Sequence, residues 1–228
     1  MEDTVTRSAK ITDLNIDSHM SYDNTALLTL HISAPQISIA NPAAQKAINE
    51  YYKIEAEKFN SRAAGYLFDR AMEEYNISVA NGFPLRAFEA FMNYSVRLNS
   101  NCTLSTYFDQ YEYAGGAHGS TLRTSVTFDL NNGKRIKLKD LFGAAGNYRR
   151  LILDEILIIA DKQMATNPVY FNDYRRLIVQ NFNGESFYLT PDGIVIYYQQ
   201  YEIGPYAIGI VEFEIPYQNL GIRPPSCG

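Results

Sequence analysis

Tyr111-Glu112-Tyr113-Ala114-Gly115-Gly116-Ala117-His118-Gly119 lies near the middle of the 228-residue chain. One alternating segment runs into it and another leaves it, so it reads as the junction between two strand-bearing halves. Near the C-terminus, Tyr201-Glu202-Ile203-Gly204-Pro205-Tyr206-Ala207 repeats its ingredients: tyrosines, one ionisable side chain and glycine, which permits backbone angles closed to other residues. Burying a lone histidine or glutamate is costly, whereas a shared hydrogen-bond cluster would satisfy both. The two stretches are therefore expected to meet, with His118 and Tyr113 beside Tyr201, Glu202 and Tyr206.

Upstream of the junction, Phe88, Ala90, Met92, Tyr94, Val96 and Leu98 alternate with Glu89, Phe91, Asn93, Ser95 and Arg97, the clearest strand of the chain. Residues 99–101 turn and 102–113 return. Residues 10–17 and 25–33 are two more strands, and His31 falls on the polar side of the second, as a solvated strand residue. Between the two pairs, Asn41-Pro42 starts a helix: asparagine caps, and proline fits the first helical position. Ile48, Tyr51, Tyr52, Phe59, Tyr66 and Leu67 continue it at helical spacing to about residue 75, with a bend expected near Gly65. Residues 1–8 read as a loose terminus.

Downstream, Leu122, Thr124, Val126, Phe128 and Leu130 alternate with Arg123, Ser125, Thr127 and Asp129, and this strand is assigned to the second half. Asn132-Gly133 signals a hairpin, with 135–139 as its returning strand and the basic cluster Lys134, Arg135, Lys137 and Lys139 guarding an edge. Residues 147–164 form a second long helix, apolar over so much of its circumference that deep burial is expected. A short helix at 172–181, a hairpin through Pro191-Asp192-Gly193 and a last strand at 211–215 complete the pattern. The fold class is α+β, with two small lobes, each an antiparallel sheet covered by a long helix. The division is 1–113 and 114–228, the latter with a Pro-rich tail.

With 46% hydrophobic and 20% charged residues the chain has the make-up of an ordinary globular protein. A net charge of −5 argues against nucleic acid, which demands a basic surface. The excess of acid is local: Glu185, Asp192, Glu202, Glu212 and Glu214 face only Arg223 from residue 184 onward, a balance that would suit a basic partner. No window reaches the length of a membrane span, and the polar start carries no signal peptide, so an exported native protein would be represented here in mature form.

A nucleophilic triad would need His118, Ser120 and Glu202, but the Gly-x-Ser-x-Gly elbow is absent and catalytic partners are seldom sequence neighbours. His19, His31 and His118 fall at no ligand spacing, so neither metal nor cofactor is expected. Eighteen tyrosines and no tryptophan suit half-wet sheet faces and interface centres. Tyr197, Tyr198, Tyr201 and Tyr206, with Gln199 and Gln200, could stack on sugars and bond their hydroxyls. Two cysteines, Cys102 and Cys227, neither require nor exclude an oxidising compartment. In an exported chain they could tie the tail to the first lobe.

The ordered succession of motifs is specific. After Tyr-x-Tyr-x-Gly-Gly-Ala-His-Gly come Phe128-Asp129-Leu130, Gly133-Lys134 and Leu138-Lys139-Asp140-Leu141-Phe142. Then follow Phe187-Tyr188-Leu189-Thr190-Pro191-Asp192-Gly193 and the 201–207 stretch. This succession resembles the extracytoplasmic domain pair of RsiV-type anti-sigma factors and PdaC-type peptidoglycan deacetylases. The C-terminal half matches over nearly its whole length and the N-terminal half matches in layout. The resemblance implies export, anchoring in the full-length protein and work at the cell envelope. RsiV-like domains bind lysozyme; in PdaC-like proteins the pair precedes a separate catalytic domain with a metal-binding motif, which this chain lacks. The expectation is a non-catalytic extracytoplasmic binding or sensing module for a lysozyme-like basic protein or cell-wall glycan. Tyr113, His118, Tyr198, Tyr201, Glu202 and Tyr206 are its candidate ligand-binding residues. The alternatives are an envelope-glycan hydrolase using His118 and Glu202, and a structural spacer.

Overall fold

The computed structural model describes residues 8–143 and 146–227. Residues 1–7 of the stretch expected to be a loose terminus lie outside the described residues. The strands β1 (Lys10–Tyr22) and β2 (Thr25–Ser38) form a hairpin whose turn places Asp23 and Asn24 at φ 47° and 59°. Short polar side chains tolerate that left-handed geometry, and its twist matches the strands it joins. Helix α1 (Pro42–Arg62) then starts as expected, with the Asn41 side chain accepting from the amides of Ala43 and Ala44. It passes through a π-helical segment (Ala63–Leu67) into α2 (Phe68–Asn81), which ends at Gly82 in the left-handed conformation. The π segment includes Gly65, the residue near which a bend is expected.

After α2 come β3 (Phe88–Ser100), β4 (Thr103–Tyr113) and β5 (Ser120–Asp129), giving one five-stranded sheet in the order β1-β2-β3-β4-β5. Two expectations are corrected here. First, β2 and β3 are parallel, the one exception in an otherwise antiparallel sheet. A parallel pair needs a long crossover, and the α1–α2 helix, which carries the chain back across the sheet, supplies it. Second, β5 belongs to the first sheet rather than the second half, pairing with β4 from Glu112–Ser120 to Thr103–Asp129. The Gly-rich stretch is thus the β4–β5 connection. The returning strand at 135–139 is corrected as well, because the pairing stops at Ile136: Arg135 bridges Phe128 and the Ile136 amide donates to the Thr127 carbonyl. A 3₁₀ turn (Leu138–Phe142) follows at once, closed by Asp140 accepting the Lys137 amide, and removes the next residues from pairing.

The second unit has α3 (Tyr148–Thr166), α4 (Tyr174–Asn181) and a three-stranded antiparallel sheet of β6 (Phe187–Leu189), β7 (Gly193–Tyr198) and β8 (Val211–Pro216). Ile152, Ile156 and Ala160 of α3 pack on Ile194, Ile196, Phe213 and Ile215. The deep burial expected all round α3 is not found, since Ile158 faces solvent. Two α+β units, each a sheet with helices against it, confirm the expected fold class.

Every residue of β7 is buried, which requires cover on both faces. Helices cover one face. Against the other, Tyr188, Val195 and Tyr197 pack on Tyr107 of β4, so the small sheet sits on the large one. A disulfide between Cys102 and Cys227, with Cα atoms 5.1 Å apart, closes the two units together and meets the pairing expected of an exported chain. No helix among the described residues is long and apolar enough to cross a membrane.

Candidate functional site

The β4–β5 connection meets the segment after β7 at the edge between the two units. Gly115 and Gly116 take φ 80° and 88°, angles that turn the chain back toward β5 at no steric penalty. At Gly119 a side chain would overlap the ring of Tyr111, whose atoms lie 2.4–2.5 Å from the position a Cβ would occupy. The absent side chain lets Tyr111 stack on Phe91 and leaves His118 projecting outward.

The His118 ring stacks on Tyr206 with centroids 3.8 Å apart and planes 19° from parallel. Tyr201 flanks the Tyr206 ring at 5.9 Å, and its hydroxyl lies 3.4 Å from His118 Nε2. The partners assign the tautomer. Nδ1 is 2.9 Å from the Gly119 carbonyl, which can only accept, so Nδ1 carries the proton and Nε2 accepts from Tyr201. Tyr201 is 55% exposed and sits at φ 67°, a rare angle for a bulky residue and a cost of about 1–3 kcal/mol.

A local network holds Tyr201 there. The Gln199 amide donates to Glu202 Oε2 at 2.7 Å, the Glu202 amide returns a bond to the Gln199 carbonyl, and Asn181 donates to the Glu202 carbonyl. Gln199 and Gln200 then fasten the turn to β5, accepting from the Arg123 and Thr121 amides at 3.0 and 2.9 Å. These side chains occupy backbone donors on the outer edge of β5, which would otherwise be open to pairing.

The expected meeting of the two stretches takes place through His118, Tyr206 and Tyr201. The shared bond between His118 and Glu202 does not form. The Glu202 carboxylate turns the other way and closes its own turn, because the left-handed residue before it points Tyr201 and Glu202 apart. Desolvation raises its pKa, opposed by the Gln199 amide. Tyr113 lies to one side, where its hydroxyl donates to the Gly116 carbonyl and accepts from Arg86. Tyr198 is enclosed in the second core, 1% exposed, with its hydroxyl on the Ile178 carbonyl. It offers no surface to a ligand. A strand covered on both faces turned an apparent rim tyrosine into core.

Beneath the junction lies a group that alternation alone did not reveal. Arg123 of β5 makes a bidentate pair with Asp109 of β4 at 2.7 Å and 2.7 Å, and a third bond to Glu212 of β8. Its guanidinium lies 3.7 Å over the Tyr107 ring. Burial works against its charge, but the bond to Asp109 and the neighbouring acids outweigh it and raise its pKa. Among the described residues no group of His, Cys, Asp and Glu is arranged to hold a metal ion.

The molecule is thus a tandem of two small α+β units joined through an aromatic junction. Residues 21–121 match the family model described as Deacetylase PdaC, and residues 139–218 match that of a Protein of unknown function (DUF3298). The two matches fall in the order of the PdaC-like and DUF3298-like domain pair that its motifs resemble. It is 23% identical over 127 residues to the peptidoglycan-N-acetylmuramic acid deacetylase PdaC of Bacillus subtilis (strain 168), a stretch covering 53% of this chain and 26% of that protein. The chain therefore spans about a quarter of the length of the curated relative it matches. Among solved structures, a DUF3298 family member from Bacteroides fragilis superposes with a TM-score of 0.72 at 23% identity, over 95% of this chain and 93% of that one. A DUF3298 family protein from Pseudomonas aeruginosa PAO1 gives 0.63 at 16% identity, over 95% of both chains. Both likenesses concern the fold.

Proposed function

We propose that the chain is a non-catalytic binding module of the bacterial cell envelope that recognises cell-wall glycan through the junction of His118, Tyr206 and Tyr201. The observation that carries this reading is the solvent-facing ring stack. Amphipathic rings present an apolar face for the C–H side of a sugar and polar edges for its hydroxyls, a pairing suited to a wet interface. The name of the PdaC relative points to peptidoglycan as its substrate. The disulfide fits an oxidising compartment outside the cytoplasm.

A lysozyme-like basic partner fits less well, because acids of the C-terminal segment are engaged within the molecule. Glu212 binds Arg123, Glu185 binds Arg135 and Glu214 accepts from Thr190. A hydrolase using His118 with Glu202 would need the two side chains to act together, and Glu202 bonds elsewhere.

The test is co-sedimentation with purified peptidoglycan sacculi, with lysozyme binding and release of soluble fragments followed in parallel. Saturable binding without release is expected. Tyr201→Asn, which keeps a residue tolerant of the left-handed angle, should weaken it about three- to tenfold at unchanged thermal stability. Absence of sedimentation, or equal binding by the variant, would overturn the reading. Release of fragments would favour the hydrolase.

A further inference from the structure

A second concavity lies on the other side of the 199–202 turn, away from the ring stack. It is a cleft of about 370 Å³ between α1, β5 and the segments on either side of β6 and β7. The size suits a small polar group or one residue of a larger ligand. The ionisable groups on its walls fall into two sets. Arg123 is matched by Asp109 and Glu212, Arg135 by Glu185, and Glu55 by Lys58. Glu202 stands apart: no cation comes within ion-pair distance of it among the described residues, and its carboxylate accepts from the uncharged Gln199 amide. A half-buried carboxylate lacking a counter-ion, on the wall of an open cleft whose other charges are already matched, is complementary to a cation brought in from outside.

We propose that this cleft is a binding site for an organic ammonium group, with Glu202 as its counter-ion and the Tyr51 ring as an adjoining wall. Arg135 lies over one face of Tyr51, 5.5 Å from its centroid, so an ammonium at Glu202 would meet the ring beside a guanidinium already paired with Glu185. A primary ammonium has three donors, and Glu202 has one oxygen, Oε1, outside the turn's own hydrogen bond. Two sources share the chemistry: a free amino group on a sugar, and the side-chain amine of a diamino acid. The site does not depend on the ring stack.

The experiment is calorimetric titration of the whole chain at pH 7 with three probes. These are a glucosamine tetramer, its fully N-acetylated counterpart, and Nα-acetyl-lysine methylamide. The expected result is binding of at least one amine-bearing probe and loss of about tenfold or more in affinity in Glu202→Gln. That substitution retains an acceptor for the Gln199 amide but no charge. The lysine probe carries no sugar, so its binding separates this site from the glycan surface. As a measurement independent of any variant, the ¹³C resonance of the wild-type Glu202 carboxyl should titrate at lower pH when the probe is bound. No binding by either amine-bearing probe, undiminished amine binding by Glu202→Gln, or an unmoved Glu202 titration would each overturn the proposal.

Discussion

Arg123 is the residue on which the packing of the two units turns. Its side chain is 9% exposed, while Asp109 and Glu212 are 32% and 41% exposed. Removing one member of a buried ionic group typically costs about 3–5 kcal/mol, and the partly wet carboxylates place Arg123→Met near the lower end, ~3 kcal/mol, read by urea denaturation. Glu202 carries the opposite sign. Its native pKa is raised above the ordinary 4.5, so the folded state holds that proton more tightly than the unfolded chain does. The stabilisation is complete at acid pH below the unfolded value and is withdrawn as pH rises through the native one. Glu202→Gln should therefore raise Tm by ~1–2 °C at pH 7 and lose that advantage near pH 4, in paired calorimetric scans. Gly119→Ala must push the Tyr111 ring aside, a loss of about 1–3 kcal/mol with the ring stack disturbed. The tyrosine, histidine and glycine of this site were legible because few other arrangements use them together. Arg123 was not, since an arginine at an alternating position reads as a wet face until another sheet is known to lie on it.

At the scale of elements, the long helix shows where periodicity informs and where it stops. Its apolar stripe located α1, and Gly65 marked the break, but the π segment needed the backbone itself. Nothing lies within 4 Å of a side chain added at Gly65. Gly65→Ala should thus stabilise by roughly 0.5–1 kcal/mol through the unfolded chain, with Tm rising ~1–4 °C if the π turn is kept. Strand identities were legible from alternation, while strand partners were not. β5 follows the glycines and reads as the start of something new, yet its register with β4 makes it the edge of the old sheet. The antiparallel order expected for β2 and β3 failed because helix length, not strand pattern, decides which end of the sheet the chain re-enters. Gln199 and Gln200 looked like sugar-bonding amides, but Gln199 commits both its oxygen and its nitrogen, and Gln200 its oxygen, to the β5 backbone.

Across the whole molecule, the large sheet, the small sheet on it and the helices on their outer faces form two cores held by tyrosine contacts, the Arg123 ion pairs, hydrogen bonds from the 199–202 turn and one covalent bond. The bond from Cys102 to Cys227 spans 125 residues, and in the chain-entropy model a loop of that length contributes about 4–5 kcal/mol. Cys227→Ser should lower the denaturation midpoint accordingly, and the loss should match that of the wild type under reducing conditions. The bond also fixes how the molecule carries load. Tension applied from the N-terminal side and at residue 227 passes from β3 across the sulfurs, so β4, β5 and the entire second unit lie off the line of pull. A single-molecule stretching trace should lack their contour while oxidised. After reduction it should lengthen by roughly 400–450 Å, the reach of the 125 residues the bridge had shielded.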